Sequence, residues 1–356
     1  MRAGLWKRVA SAGAVVVAGM LAVHCGGGEP PIHLPPGNPD GGLSISGYAL
    51  KGPISGGTVT AYRLLPDMSR GEQLATTTTD SGGFFGLSLP AYTGDVLLVV
   101  NGGSYLEEAL IHADAGVPGP TLTINVDFVG LLLGYQAGQP STANITPISH
   151  LAYSLARFHV RTLGEPVAKA VPDAFAHLGS HFGNVPGVAT DLDWRTVVPG
   201  ALGAGDGAQL TAAQRAALVL AGLSEVAATI SSRAAISPGG PVNALSLLTA
   251  LAEDLEADGL FDGLGTGGRQ LLVPAGSSLH TTGPTATALD GSTVRLALAS
   301  AIATFVRSGS NTSSITIPDV VAVTGAVSAD SDPYLFKSPG TSFDITPPKL
   351  TVASAP

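Results

Sequence analysis

From Ser44 the apolar positions recur with period two. Ser44–Tyr48 and Thr58–Leu64 alternate, Leu74–Thr79 is rich in β-branched threonine, and Phe84–Leu89, Val96–Val100, Glu107–Ile111 and Leu122–Val126 complete the set. Turn residues separate these runs: Gly52-Pro53, Gly56-Gly57, Pro66-Asp67, Asp80-Ser81-Gly82-Gly83 and Asn101-Gly102-Gly103. Short strands at a spacing of roughly ten residues predict an all-β sandwich. At Thr146 the period changes to that of a helix. Thr146 suits an N-cap and Pro147 the first helical position, and Ile148, Leu151, Ala152, Leu155, Ala156 and Phe158 follow on one face. Further helices are expected over Pro166–Phe182, with a kink at Pro172, and from a Thr211/Gln214 capping box to Arg233. Two more are expected over Val242–Asp258 and Thr293–Arg307. The predicted fold class is α+β and multidomain. A seven-stranded antiparallel β-sandwich over 43–128 precedes an irregular all-α helical domain over 144–308, and an extended tail covers 309–356.

Ahead of these elements stands a leader. Arg2, Lys7 and Arg8 precede Val9–Val23, fifteen residues without a charge, and His24-Cys25 follow. A basic head and a short apolar core form the layout of a secretory signal, and the core is short for a membrane span. Cys25 is the single cysteine, so no disulfide partner exists within the chain. Leu21-Ala22-Val23-His24-Cys25 resembles the lipobox of bacterial lipoproteins. The resemblance implies a signal peptide over 1–25, a lipidated cysteine at Cys25 as the mature N-terminus, and attachment to the membrane through that lipid. With Gly26 next to it, the resemblance also implies sorting to the outer membrane, facing the periplasm or the cell surface. Gly26–Gly42, GGGEPPIHLPPGNPDGG, is dominated by Gly and Pro and reads as a flexible tether, with His33 solvated in it.

Charge narrows the partners. Without Arg2, Lys7 and Arg8 the chain keeps 14 basic residues against 26 acidic ones, a net of about −12. That balance argues against nucleic acid, whose binding needs clustered Lys and Arg. Apolar residues make up 45% and aromatics 5%, so cores of Ala, Leu and Val are expected.

Two further resemblances bear on the fold. Lys51-Gly52-Pro53-Ile54, followed by Gly57–Tyr62, resembles the opening hairpin of transthyretin-like, carboxypeptidase-regulatory-like sandwich domains. Thr79-Asp80-Ser81-Gly82-Gly83-Phe84-Phe85 is similar to that family's T-D-x-x-G-x-F turn, in which Asp80 would accept turn amides and a phenylalanine would fill the core. This resemblance implies a surface or spacer module without catalysis. The run Thr146-Pro-Ile-Ser-His-Leu-Ala152 resembles the helix start that follows such modules in bacterial surface lipoproteins. Asp344–Val352 looks like the connector and first strand of a bacterial immunoglobulin-like repeat.

Candidate chemistry is sparse. Asp254, Glu256, Asp258 and Asp262 have part of the spacing of a calcium loop, with Gly265 where the bidentate Glu should stand. Calcium is the one cofactor that these residues suggest. The same acids also suit a helix end closed by Gly259. His177 and His181 have the i, i+4 spacing of a zinc pair without a third ligand. His150 is expected near the domain junction. Gly263, Gly265 and Gly268 spell G-x-G-x-x-G without the strand and helix that a phosphate cradle needs. No nucleophile elbow or P-loop is present. The expected function is therefore a non-enzymatic, lipid-anchored envelope protein acting in surface structure, adhesion or interaction with an envelope partner. Alternatives are a secreted hydrolase with scattered catalytic residues in the helical domain, or a calcium-dependent ligand-binding module.

Overall fold

A computed structural model describes residues 44–89, 91–107, 121–182, 193–199, 210–233, 243–261, 264–270, 272–273, 287–288, 291–308, 311 and 315–316. The leader with Cys25, the tether with His33, most of the expected strand over Glu107–Ile111, Asp262, Gly263 and nearly all of the tail lie outside the described residues.

Among the described residues nine strands precede the first helix: β1 (Ile45–Tyr48), β2 (Thr58–Leu64), β3 (Arg70–Thr78), β4 (Phe84–Leu87), β5 (Gly94–Asn101), β6 (Ser104–Leu106), β7 (Thr121–Thr123), β8 (Phe128–Tyr135) and β9 (Ser141–Thr142). One sheet has the order β3-β2-β5-β8, with every pair antiparallel. A second has the order β4-β1-β9, in which β1 and β9 run parallel. β6 and β7 form a separate ribbon, tied to the first loop by a bridge between Ser55 and Ser104. In β2 the inward residues are Val59 and Ala61, then Leu64. The slip from period two follows a register shift at Tyr62, where a bulge turns Arg63 outward. β1 and the chain ahead of α1 approach so closely that a Cβ on Gly47 would lie 1.9 Å from the Ala143 carbonyl oxygen. Only glycine fits there.

The strands reach beyond residue 128, past the expected end of the sandwich. β8 (FVGLLLGY) reads as a nearly continuous apolar run because it is covered on both faces. It is the edge strand of its sheet, and a helix packs against it. That helix, α1 (Pro147–Leu163), begins at Thr146, which accepts from the Ser149 amide while the Ser149 side chain returns a bond to the Thr146 amide. Gly164, at φ 70°, closes it. α1 packs against β8, α2 (Val167–His181) and α4 (Ala244–Asp258). It is therefore buried on more than one face, from Ile148 to His159. α2 continues through Pro172. α3 (Ala212–Arg233) starts at the Thr211/Gln214 capping box and packs along α5 (Gly291–Arg307). Gly222 permits that approach, since a Cβ there would sit 2.7 Å from Leu298 and Ile302.

The helical half is not all-α. Among the described residues two small ribbons lie between α4 and α5: β10 (Leu264–Gly265) with β11 (Arg269–Gln270), and β12 (Leu272–Val273) with β13 (Thr287–Ala288). Gly267 and Gly268, both at positive φ, form the turn between β10 and β11. The described glycines of the motif, Gly265 and Gly268, thus lie in a hairpin and not at a helix N-terminus that could cradle a phosphate. The two expected domains also share one core. Buried side chains form a single cluster from Val59, Phe85 and Leu98 in the sheets to Leu151, Leu223, Leu248 and Ile302 in the helices.

Candidate functional site

The sheets and helices meet in two polar clusters, one sealed and one open. The sealed cluster centres on Lys51 in the loop after β1. Its ammonium lies 2.5 Å from Ser224 Oγ on α3 and 3.5 Å from Glu107 Oε1, an ion-pair distance. Tyr105 donates its hydroxyl to Glu107 Oε2 at 2.9 Å. Both charged side chains are at most 1% exposed. Burial pushes the Glu107 carboxyl up. Lys51, with hydrogen bonds from Ser224, Tyr105 and the Ala244 amide at the start of α4, outweighs it and holds that carboxyl below the usual range. This cluster gives a solute no access. It joins the sheet half to α3 and α4.

The open cluster is a cleft of about 340 Å³ lined by Ser69, Arg70, Asp127, Val129, His150, Tyr153, Arg157 and Arg161. Three segments build it. The tip of the β2–β3 hairpin supplies Ser69 and Arg70. That tip folds onto α1: Tyr153 donates its hydroxyl to the Met68 carbonyl and Arg161 Nε donates to the Asp67 carbonyl, both at 2.9 Å. Met68 itself is fully buried at φ 63°, a left-handed conformation that a side chain rarely adopts and that this docking holds in place. The start of β8 supplies Asp127 and Val129. Helical spacing on α1 brings His150, Tyr153, Arg157 and Arg161 to the same side.

The guanidinium groups are fixed in advance. Arg70 pairs with Asp127 and lies over the Tyr62 ring at 5.6 Å. Arg157 donates to Glu256 on α4 at 2.7 Å and lies over the Tyr153 ring at 5.3 Å. Arg161 Nη1 is 3.6 Å from the same glutamate. His150 stacks flat on Phe128, with ring centroids 5.2 Å apart. Burial pushes its imidazole down to about 4, against the weaker pull of Asp127, so it is neutral at neutral pH. His150 Nδ1 and Arg157 Nε are buried and have no hydrogen-bond partner among the described residues.

Ser69, His150 and Asp127 share this cleft, which brings together the residue types of a hydrolytic triad. Their hydrogen bonds go elsewhere. Ser69 donates to Asp67 at 2.5 Å, and Asp127 accepts from Arg70 and from Asn101 at 2.7 Å. No bonded chain runs from carboxylate to imidazole to hydroxyl, as activation of a serine requires.

The calcium candidates diverge. Asp254 is buried, Glu256 pairs with Arg157 and Arg161, and Asp258 accepts from the Leu260 amide at 2.9 Å. Gly259, at φ 80°, closes α4. Among the described residues no group of three or more His, Cys, Asp or Glu side chains is placed to hold a metal ion. Of the histidine pair, His177 faces His159, with centroids 6.4 Å apart, and His181 packs against Phe182 and Phe261. Asp80 accepts from the amides of Gly82 and Phe84 at 2.8 and 2.9 Å, and Phe85 enters the core. The turn chemistry expected of Asp80 is present.

Sequence reasoning missed Lys51, Glu107 and the arginines of the cleft. The only sequence signal for the last is the i, i+4 placement of Arg157 and Arg161 on α1. Among the described residues no helix is long and apolar enough to cross a membrane.

No protein-family model matches the chain, and no curated protein matches it. Among solved structures, the crystal structure of a 9R-lipoxygenase from Cyanothece is similar over 36% of this chain and 24% of its own, at 12% identity and a TM-score of 0.18. A likeness that slight carries no inference about fold or activity.

Proposed function

We propose that the chain is an exported bacterial lipoprotein, held to the outer membrane by acyl chains on Cys25, whose folded part serves as a non-enzymatic surface or interaction module. One observation carries this reading: the single cysteine stands at the end of a basic-headed, uncharged apolar leader and is followed by a Gly/Pro tether. We also read the β3-β2-β5-β8 and β4-β1-β9 sheets as the two layers of a transthyretin-like sandwich. The Asp80 turn and the antiparallel hairpins support this.

A shared core and a buried ion pair suit such a module, because they hold its surfaces in one arrangement. The hydrolase reading is the weaker one, since Ser69 and Asp127 are bonded to other groups. Replacing Cys25 with Ser and fractionating the cells tests the proposal. The wild-type chain should sediment with membranes and incorporate labelled palmitate, while Cys25→Ser should do neither. A Cys25→Ser chain that stays on the membrane would refute the anchor.

A further inference from the structure

We infer that the cleft between the β2–β3 hairpin tip, β8 and α1 binds a small molecule through an oxyanion group. The inference concerns the folded part alone and holds whether or not Cys25 carries lipid. Three guanidiniums line a space of about 340 Å³. That is at the lower end of ligand-pocket sizes and suits a solute of monosaccharide scale. Asp127 pairs with Arg70, Glu256 pairs with Arg157 and Arg161, and the Asp67 carboxylate, turned onto the Ser69 amide and hydroxyl, also acts on Arg161 through space.

Each guanidinium has five N–H donors, and the bonds to Asp127, Glu256 and the Asp67 carbonyl occupy only some of them. Arg157 Nε in particular has no acceptor among the described residues. An oxyanion supplies several acceptors at once and matches the fork of a guanidinium. The forks need little reordering to receive it. Arg157 and Arg70 are already stacked on tyrosine rings, and Arg161 is tied to the hairpin backbone. The rest of the chain is acidic, so this attraction is local and selects a small anion over a polyanionic surface.

Calorimetric titration of the mature chain in detergent, at constant ionic strength, tests this. The probes are inorganic phosphate, inorganic sulfate and glucuronate, with glucose and chloride as controls. At least one oxyanion should bind saturably. Arg161→Met and Arg157→Lys, the second keeping the charge but losing the fork, should each weaken it at least about tenfold. Arg195→Met, at a residue outside the cleft that pairs with Asp193, should leave it unchanged. Arg161 is partly exposed, so its variant keeps the test valid even where a change at Arg157 unfolds the chain. Binding no better than chloride would overturn the inference. So would wild-type affinity in Arg161→Met, or an equal loss in Arg195→Met.

Discussion

Asn144 bonds through its backbone amide and both ends of its side chain. Its side chain accepts from the Tyr48 amide at 2.9 Å and donates to the carbonyls of Thr196 and Val197 at 2.9 and 2.8 Å, while its own amide donates to the Arg195 carbonyl at 3.1 Å. One residue thereby ties the end of β1, the entry to α1 and the 193–199 segment. Asn144→Ala should cost about 2–3 kcal/mol in urea unfolding, because partly buried backbone groups lose their partners. His150 acts through a proton. Its pKa is about 4 in the fold against 6.5 for the free group. Between those values the unfolded chain takes up a proton that the folded chain refuses, so stability falls as pH drops. The loss from this site between about pH 6.5 and pH 5 should reach about 2 kcal/mol. Comparing urea midpoints at about pH 7 and about pH 5 should show a smaller drop for His150→Phe than for wild type. An equal drop would mean that His150 is not held neutral. Neither residue stands out in the sequence. Asn144 reads as the polar lead-in to a helix, and a histidine's partners come from strands far along the chain.

At the scale of elements, most helices were legible, because caps and periodicity are local. Thr146-Pro147, the Thr211/Gln214 box and Gly259 each mark an end where the structure has one. β8 was not legible, since a strand covered on both faces loses its alternation. The cleft was illegible too, as it forms only when a hairpin tip folds onto a helix. The Lys51–Glu107 pair is the clearest link between elements. Lys51→Met leaves a buried carboxylate without its cation and should destabilise the fold by about 3–5 kcal/mol, whereas Lys51→Met with Glu107→Leu should recover most of that loss. A double variant no more stable than the single one would show that the two charges are not coupled. The Glu107 carboxyl is held low in the fold, so its contribution is present above the carboxyl's unfolded pKa. It is lost as pH falls further, through the folded value.

At the scale of the whole molecule, buried side chains of the sheets and the helices form one common core among the described residues. On the proposed anchor, the folded part would stand off the membrane behind the Gly/Pro segment with its cleft open to solutes. The proposed location rests on the leader, whose message lies in composition and order rather than in fold. Mass spectrometry of the N-terminal peptide from membrane-extracted protein tests this most directly. The expected peptide begins at Cys25, lacks residues 1–24 and carries the mass of two or three acyl chains with the glyceryl group. A peptide that begins at Met1, or one with an unmodified Cys25 thiol, would contradict it.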